Sequence, residues 1–227
     1  MALHDEINSE LGQILGCPWK ERSGQKVPDT TELELGNDGV ALDAAVLYAD
    51  LADSTSLVSR TKRTFAAEVF KAYLRGACKI LRAQDGNITS FDGDRVMAVF
   101  IGAKKETAAV RAALAVNHLV EKVLNTLVKE RYTTDIVVRH AVGVDAGPLF
   151  VARAGIRGSN DLVWVGPAAN VAAKLSALRE PPFATYITDA VYKAMTDDVR
   201  FSSGKNMWES RQWSGATVYR SGYNWPL

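Results

Sequence analysis

Cysteine, histidine and long apolar runs are all scarce in this sequence. Of 227 residues, two are cysteines, Cys17 and Cys78, and three are histidines. Two thiols with no wider framework argue against a disulfide-stapled secreted fold and read as reduced cysteines of a cytosolic protein. His4, His118 and His140 stand at no metal-ligand spacing, so each reads as a satisfied or solvated histidine. No apolar stretch approaches the ~20 residues that span a bilayer. The opening Met1-Ala2-Leu3-His4-Asp5-Glu6 has no basic segment followed by an apolar one, which argues against a signal peptide. The expectation is a soluble, cytoplasmic protein that makes no membrane contact. An excess of one charge is missing too, with 27 Lys and Arg against 26 Asp and Glu. Dedicated nucleic-acid binders usually carry a basic excess, so a nucleic acid polymer is not the expected partner. A small anionic ligand needs only a local positive cluster and is left open.

What is present suits a folded domain. Hydrophobic residues make up 47% and charged residues 23%, enough to bury a core. There is no internal repeat. Leu3, Ile7, Leu11, Ile14 and Leu15 form a helical stripe, followed by a polar, turn-rich arm to Val40. Residues 1–40 therefore read as an N-terminal helix and connecting arm, and residues 41–227 as the main domain with a C-terminal extension. In the main domain, 44–50 reads as a buried strand and Asp53-Ser54-Thr55 as a helix N-cap signal. A helical pattern then runs to about residue 83. Residues 88–91 and 96–100 read as a hairpin around Asp92-Gly93-Asp94. A second helix over 107–128 precedes a strand over 136–144, an apolar run over 162–165 and a helix over 168–178. Strand, helix, strand, strand, helix, strand predicts an α+β fold: a ferredoxin-like βαββαβ unit, its antiparallel sheet carrying helices on one face. That architecture hosts many functions, so function must come from the site.

Two acidic positions stand out. Asp50 ends an apolar strand and Asp94 sits in a tight turn. On neighbouring strands their carboxylates come close, which is costly unless a cation lies between them. Hard divalent ions favour carboxylate oxygens and recruit phosphate oxygens as further ligands. Two such metals can activate an attacking oxygen and stabilise a leaving one. Leu51-Ala52-Asp53-Ser54-Thr55-Ser56 leads into a helix, whose first N–H groups make a phosphate seat. Taken alone, that segment is more often a plain cap.

These residues resemble a known family. Tyr48-Ala49-Asp50-Leu51-Ala52-Asp53-Ser54-Thr55 is similar to the first metal motif of the class III nucleotidyl cyclases. Phe91-Asp92-Gly93-Asp94, with the strand to Phe100, is similar to the second. Gly143-Val144-Asp145-Ala146-Gly147-Pro148 resembles the family's glycine-bearing strand and turn. Trp164-Val165-Gly166-Pro167-Ala168-Ala169-Asn170 through Lys174 resembles the helix that carries the transition-state pair. The resemblance covers about residues 44–194, with four motifs in the family's order. It implies metal ligation by Asp50 and Asp94, with the Leu51 carbonyl, at a site taking two Mn²⁺ or Mg²⁺ ions. It implies that Asn170 orients the ribose. Lys174 falls where most members have an arginine for the α-phosphate, and supplies a point charge without the planar fork. It further implies a homodimer with composite sites and a nucleoside triphosphate substrate.

The usual purine-reading positions are Ser90 and Val163 here, neither a residue common in the family. These departures resemble the pyrimidine cyclases of bacterial Pycsar anti-phage systems, a resemblance that takes in Val27-Pro28 to Leu35, Asn37-Asp38-Gly39-Val40, Leu47 to Thr55 and Asp92 to Phe100. That subgroup implies cyclic UMP or cyclic CMP as product and a separate effector that responds to it. Tyr48 follows strand alternation onto the face of Asp50, but a strand tyrosine packing under the sheet is an equal reading. The alternatives are a purine cyclase with an altered pocket, an inactive cyclase-like nucleotide sensor, and an interaction domain built on the aromatic segment from Trp208 to Trp225. Retention of both aspartates disfavours the sensor.

Overall fold

The computed structural model describes residues 2–227. Its organising element is β2 (Asp38–Ala52), preceded by α1 (Leu3–Gly16), β1 (Lys20–Ser23) and a 3₁₀ turn (Thr30–Glu32). Ala45, Leu47, Ala49 and Leu51 point to one face of β2, and Ala44, Val46, Tyr48 and Asp50 to the other. Burial on both faces explains why this strand reads as a continuous apolar run rather than an alternating one. After β2 come α2 (Ser54–Arg60), α3 (Arg63–Ala83), the hairpin β3 (Asn87–Asp92) and β4 (Arg95–Phe100), and α4 (Lys105–His118). A π-helical stretch (Leu119–Leu124) joins α4 to α5 (Asn125–Arg131), followed by β5 (Arg139–Ile156), β6 (Ser159–Val165) and α6 (Pro167–Leu175). The remainder is β7 (Thr185–Thr188), α7 (Asp189–Ala194), α8 (Asp197–Arg200), the short β8 (Phe201–Ser202) and β9 (Lys205–Asn206), then β10 (Glu209–Trp213) and β11 (Ala216–Ser221).

The strand order β5-β2-β4-β3 is antiparallel throughout and forms the expected βαββαβ unit. The sheet continues through β7, which pairs parallel to β5, and then β11 and β10. Helices α3 and α4 bury one face. Ala66, Val69, Tyr73, Ala77 and Ile80 of α3 are inside, and α4 buries most of its residues from Thr107 to Asn117. The C-terminal segment closes over α4: the Trp225 N–H donates to the Leu114 carbonyl, and the Trp208 indole N–H to that of Val199. The shorter α6 lies on the opposite face, its Ala168, Ala169 and Ala172 packed with Leu42, Val46 and Leu149.

Several element bounds differ from the sequence reading. The helical pattern to residue 83 is two helices, broken where Thr61 and Lys62 turn extended. The strand expected over 136–144 starts at Arg139 and continues to Ile156. Gly147-Pro148 reads as a turn, yet Pro148 pairs with Asp43 inside the strand. It lies between the β7 pairing, which ends at Val144, and the β6 pairing, which begins at Phe150. On that edge an absent N–H leaves no ladder bond unmade. The arm before β2 is more structured than its polar composition suggests. β1 pairs parallel with the start of β2, and Leu33 is a core residue.

Candidate active site

Strand register brings the expected residues into two rows on the α6 face of the sheet. Asp50 pairs with Arg95, which pairs with Asp92 across the hairpin. Tyr48 pairs with Met97, which pairs with Ser90. Directly paired residues share a face, so Tyr48 and Ser90 flank Met97 one pleat away from Asp50. The Arg95 guanidinium lies 5.2 Å from the Tyr48 ring centroid and ties the rows together. Burial raises the Tyr48 phenol above its ordinary range.

Asp94 occupies the second position of the two-residue loop that joins Asp92 to Arg95. Gly93, before it, has φ +60, as a primed hairpin turn requires at its first central residue. Arg95 donates to Asp92 at 2.7 Å and leaves Asp94 alone. Its Oδ2 is buried without a partner. An orphaned carboxylate oxygen costs free energy unless something binds it.

Asp50 is the more constrained carboxylate. Burial pushes its pKa up, and the Arg179 guanidinium offsets part of that rise. Nη2 of Arg179 donates to Asp50 Oδ2 at 2.9 Å and to the Leu51 carbonyl at 3.2 Å. Its Nη1 donates to the carbonyls of Ser176 at 2.7 Å and Leu178 at 2.9 Å, just beyond α6. Asp50 Oδ2 and the Leu51 carbonyl are the oxygens expected to hold metal, and here a guanidinium stands on both. The donor set suits a hard divalent cation: two carboxylates, one of them orphaned, and a carbonyl already holding a positive group. Among the described residues no cluster of three or more His, Cys, Asp or Glu side chains has metal-binding geometry. Phosphate and water oxygens would therefore complete the coordination.

Sequence reasoning assigned Asp53 as a helix cap. The structure places it in the left-handed region, φ 57, with no side-chain capping bond. Asp53 and Ser54 line a cavity of about 350 Å³ beside the Leu51 carbonyl, whereas Thr55 is exposed and outside its lining. Its lining is of mixed charge, Arg60 and Arg139 with Asp53 and Asp135. Neither these two arginines nor Arg179 was singled out from sequence.

Asn170 and Lys174 share the outward face of α6, both exposed, while Ala168, Ala169, Ala172 and Leu175 are buried beneath. α6 sits close because β5 has Gly143 below it: a Cβ there would lie 2.2 Å from the Ala172 carbonyl. Val163 is 39% exposed on β6, paired with Ala152 and outside the Tyr48–Ser90 row. Within one chain, Asp50, Asp94, Tyr48 and Ser90 come together, and Asn170, Lys174 and Val163 face outward.

A buried polar chain lies under the other face. Tyr73 is fully buried with an unpartnered hydroxyl. Burial, then the negative charges of Asp50 and Asp94, push its pKa well up. Its ring packs 6.1 Å from that of His140, whose Nε2 lies 3.0 Å from Asn117 Oδ1. The Asn117 amide donates to the carbonyls of Gly222 and Tyr223, so His140 Nε2 is the donor and Nδ1 carries the lone pair. Burial lowers the His140 pKa to about 3, and it is neutral at physiological pH.

Comparison with solved structures gives the class. The adenylyl cyclase CyaB from P. aeruginosa superposes with a TM-score of 0.68 over 81% of this chain and 95% of its own, at 22% identity. The guanylyl cyclase Cya2 gives 0.69 over 82% and 94%, at 16% identity. The fold is that of the class III nucleotidyl cyclase domain. No protein-family model matches the chain. Uridylate cyclases from Xanthomonas perforans and Burkholderia cepacia are 44% and 42% identical to it, each alignment covering 100% of both chains. A uridylate cyclase from Rhodovulum sp. (strain MB263) is 36% identical over 98% of this chain and 97% of its own. The chain belongs to the uridylate cyclase family, whose members are phosphorus–oxygen lyases. No helix among the described residues is long and apolar enough to cross a membrane.

Proposed function

We propose that this protein converts UTP to 3′,5′-cyclic UMP and pyrophosphate. The carrying observation is the pair of rows on one sheet face: Asp50, Arg95 and Asp92, with Asp94 in the turn that closes their hairpin, lie beside Tyr48, Met97 and Ser90. In the reaction, the ribose 3′-hydroxyl gives up its proton to water, its oxygen bonds to the α-phosphorus, the bond from that phosphorus to the α–β bridging oxygen breaks, and pyrophosphate leaves. Asp50, Asp94 and the Leu51 carbonyl would hold two Mn²⁺ or Mg²⁺ ions. When bound, these supply Lewis acidity for the 3′-oxygen and the leaving phosphate. Asn170 orients the ribose and Lys174 meets charge growing on the α-phosphate. Arg60, Arg139 and Ser54 line the cavity that suits the β- and γ-phosphates.

The base reading rests on size and polarity. Tyr48 narrows the row, and its hydroxyl both donates and accepts, as does that of Ser90. Uracil has an N3–H donor between two carbonyls, so hydroxyls match it, and the curated relatives' name supports UTP over CTP.

A homodimer is supported by the outward Asn170 and Lys174, which need a facing Asp50 and Asp94. It is supported too by the apolar side chains of Phe91, Ile156, Val163 and Val165, exposed at 58%, 68%, 39% and 59%. The product would act as a second messenger in anti-phage defence through a separate effector. The decisive experiment incubates purified protein with Mn²⁺ and each of ATP, GTP, CTP and UTP, identifying products by mass. Cyclic UMP in clear preference is expected. Equal or better turnover of ATP ends the pyrimidine reading.

A further inference from the structure

Arg179 makes four hydrogen bonds with one guanidinium, and they join two parts of the site. One nitrogen serves Asp50 Oδ2 and the Leu51 carbonyl. The other serves Ser176 and Leu178, at the end of the helix that carries Asn170 and Lys174. Of the pair, Asp50 is the fixed member. Its side chain is 19% exposed and held by pairing on both edges of β2, whereas Arg179 is 33% exposed and follows the helix in a loop. A divalent cation would bind these same two oxygens at ~2.0–2.6 Å. Sharing them with a guanidinium is disfavoured, because two positive charges would stand on one carboxylate oxygen.

We propose that Arg179 is a built-in cation that holds the metal seat of the metal-free enzyme, and that metal entry displaces its guanidinium. The proposal rests on the metal reading of Asp50 given above. Until metal arrives, Arg179 neutralises a carboxylate that burial would otherwise destabilise, keeping the strand end and the cavity in shape. Arg179 is thus a positioning residue. Displacement also frees the carbonyls behind α6, so occupancy of the metal seat is linked to the hold on the helix bearing Asn170 and Lys174.

The test is Mn²⁺ binding by the full chain without nucleotide, read from the electron paramagnetic resonance of free Mn²⁺. Arg179→Met keeps an unbranched apolar stem and removes the charged guanidinium. It is expected to bind Mn²⁺ about tenfold more tightly than wild type, within the range of couplings between competing ligands. Its metal-free melting temperature should fall and its rise on adding Mn²⁺ should be larger. Unchanged or weaker Mn²⁺ affinity in Arg179→Met overturns the proposal, as does a loss of kcat with affinity unmoved, which would mark a phosphate contact instead. Should Arg179→Met not fold, wild type itself answers through phenylglyoxal labelling read by peptide mass. Arg179 is expected to become more reactive when Mn²⁺ is added, and constant protection overturns the displacement. Asp50→Asn separates the two readings. If it binds Mn²⁺ as well as wild type, the metal assignment fails irrespective of Arg179.

Discussion

Gly143→Ala tests how α6 is seated. Gly143 lies in β5 beside Tyr48, directly under α6. An added Cβ would meet the Ala172 carbonyl at 2.2 Å, the Ser176 N–H nitrogen at 2.5 Å and Leu175 Cβ at 2.7 Å. Two of these are backbone atoms, so no rotamer change relieves the overlap. To reach ordinary contact α6 must lift by about 1 Å. Overpacking a well-packed site costs about 1–3 kcal/mol, and backbone contact argues for the upper end. At about 2–4 °C per kcal/mol for a chain of this size, the melting temperature should fall by about 6–12 °C. The same lift carries Asn170 and Lys174 off position. A misplacement near 1 Å is worth about a hundredfold in rate. The assay is thermal denaturation together with kcat/KM for cyclic nucleotide formation. Gly36→Ala is the control, since a Cβ there meets nothing within 4 Å and φ is not positive. A Gly143→Ala protein with wild-type melting temperature and wild-type activity would refute the claim that α6 is seated by this glycine.

Three further outcomes are expected. Tyr48→Ala should lose pyrimidine preference by about tenfold or more while retaining purine turnover, since a hydrogen-bonding site discriminates through groups left unpaired. Product mass ratios from a mixture of four nucleotides check it, and unchanged ratios remove Tyr48 from the base site. His140 has a folded pKa of about 3 against an ordinary 6.5. Its contribution to stability is complete above pH 6.5 and is lost as pH falls towards 3, because the unfolded chain then binds a proton the folded one refuses. The slope is at most about 1.4 kcal/mol per pH unit. Urea midpoints at pH 7 and pH 5 should fall further for wild type than for His140→Gln, and parallel falls would contradict the burial argument. Finally, inactive Asp50→Ala chains mixed with inactive Asn170→Ala chains should recover measurable activity, because a mixed dimer has one intact composite site. No recovery in a demonstrated mixed dimer sinks the composite arrangement.

What the sequence disclosed was local. Asp50 was legible because six apolar residues precede a polar one, and Asp94 because a Gly-Asp pair between strands makes a tight turn. Ala169, Ala172 and Leu175 were legible as the inward face of α6 from helical spacing alone. Asp53 was legible as the N-cap of α2, but not its left-handed backbone or the missing side-chain capping bond, which depend on how β2 feeds the helix. Pro148 misled because a proline inside a strand is tolerated only where a neighbour is missing, and that gap depends on where β6 and β7 pair. Arg179 was invisible for a similar reason. Two of its four acceptors lie 128 and 129 residues earlier, and it reaches them from the loop after α6, a segment without a periodic pattern.

The choice of cation at each position near α6 follows from geometry. Arg179 has four acceptors arranged around it: two main-chain carbonyls behind the helix, one on β2, and the Asp50 carboxylate. A planar fork with five N–H donors can serve all four at once, and a lysine ammonium with three donors cannot. Lys174 lies on the exposed face of the same helix, where no fixed set of acceptors surrounds it. There a compact charge on a flexible stem is free to move, and a rigid fork has no pre-set partner to match. Exchanging the two types would therefore do opposite things. Lys at position 179 would loosen the hold on Asp50, and Arg at position 174 would add a planar donor pair to an exposed helix face that here carries a single point charge.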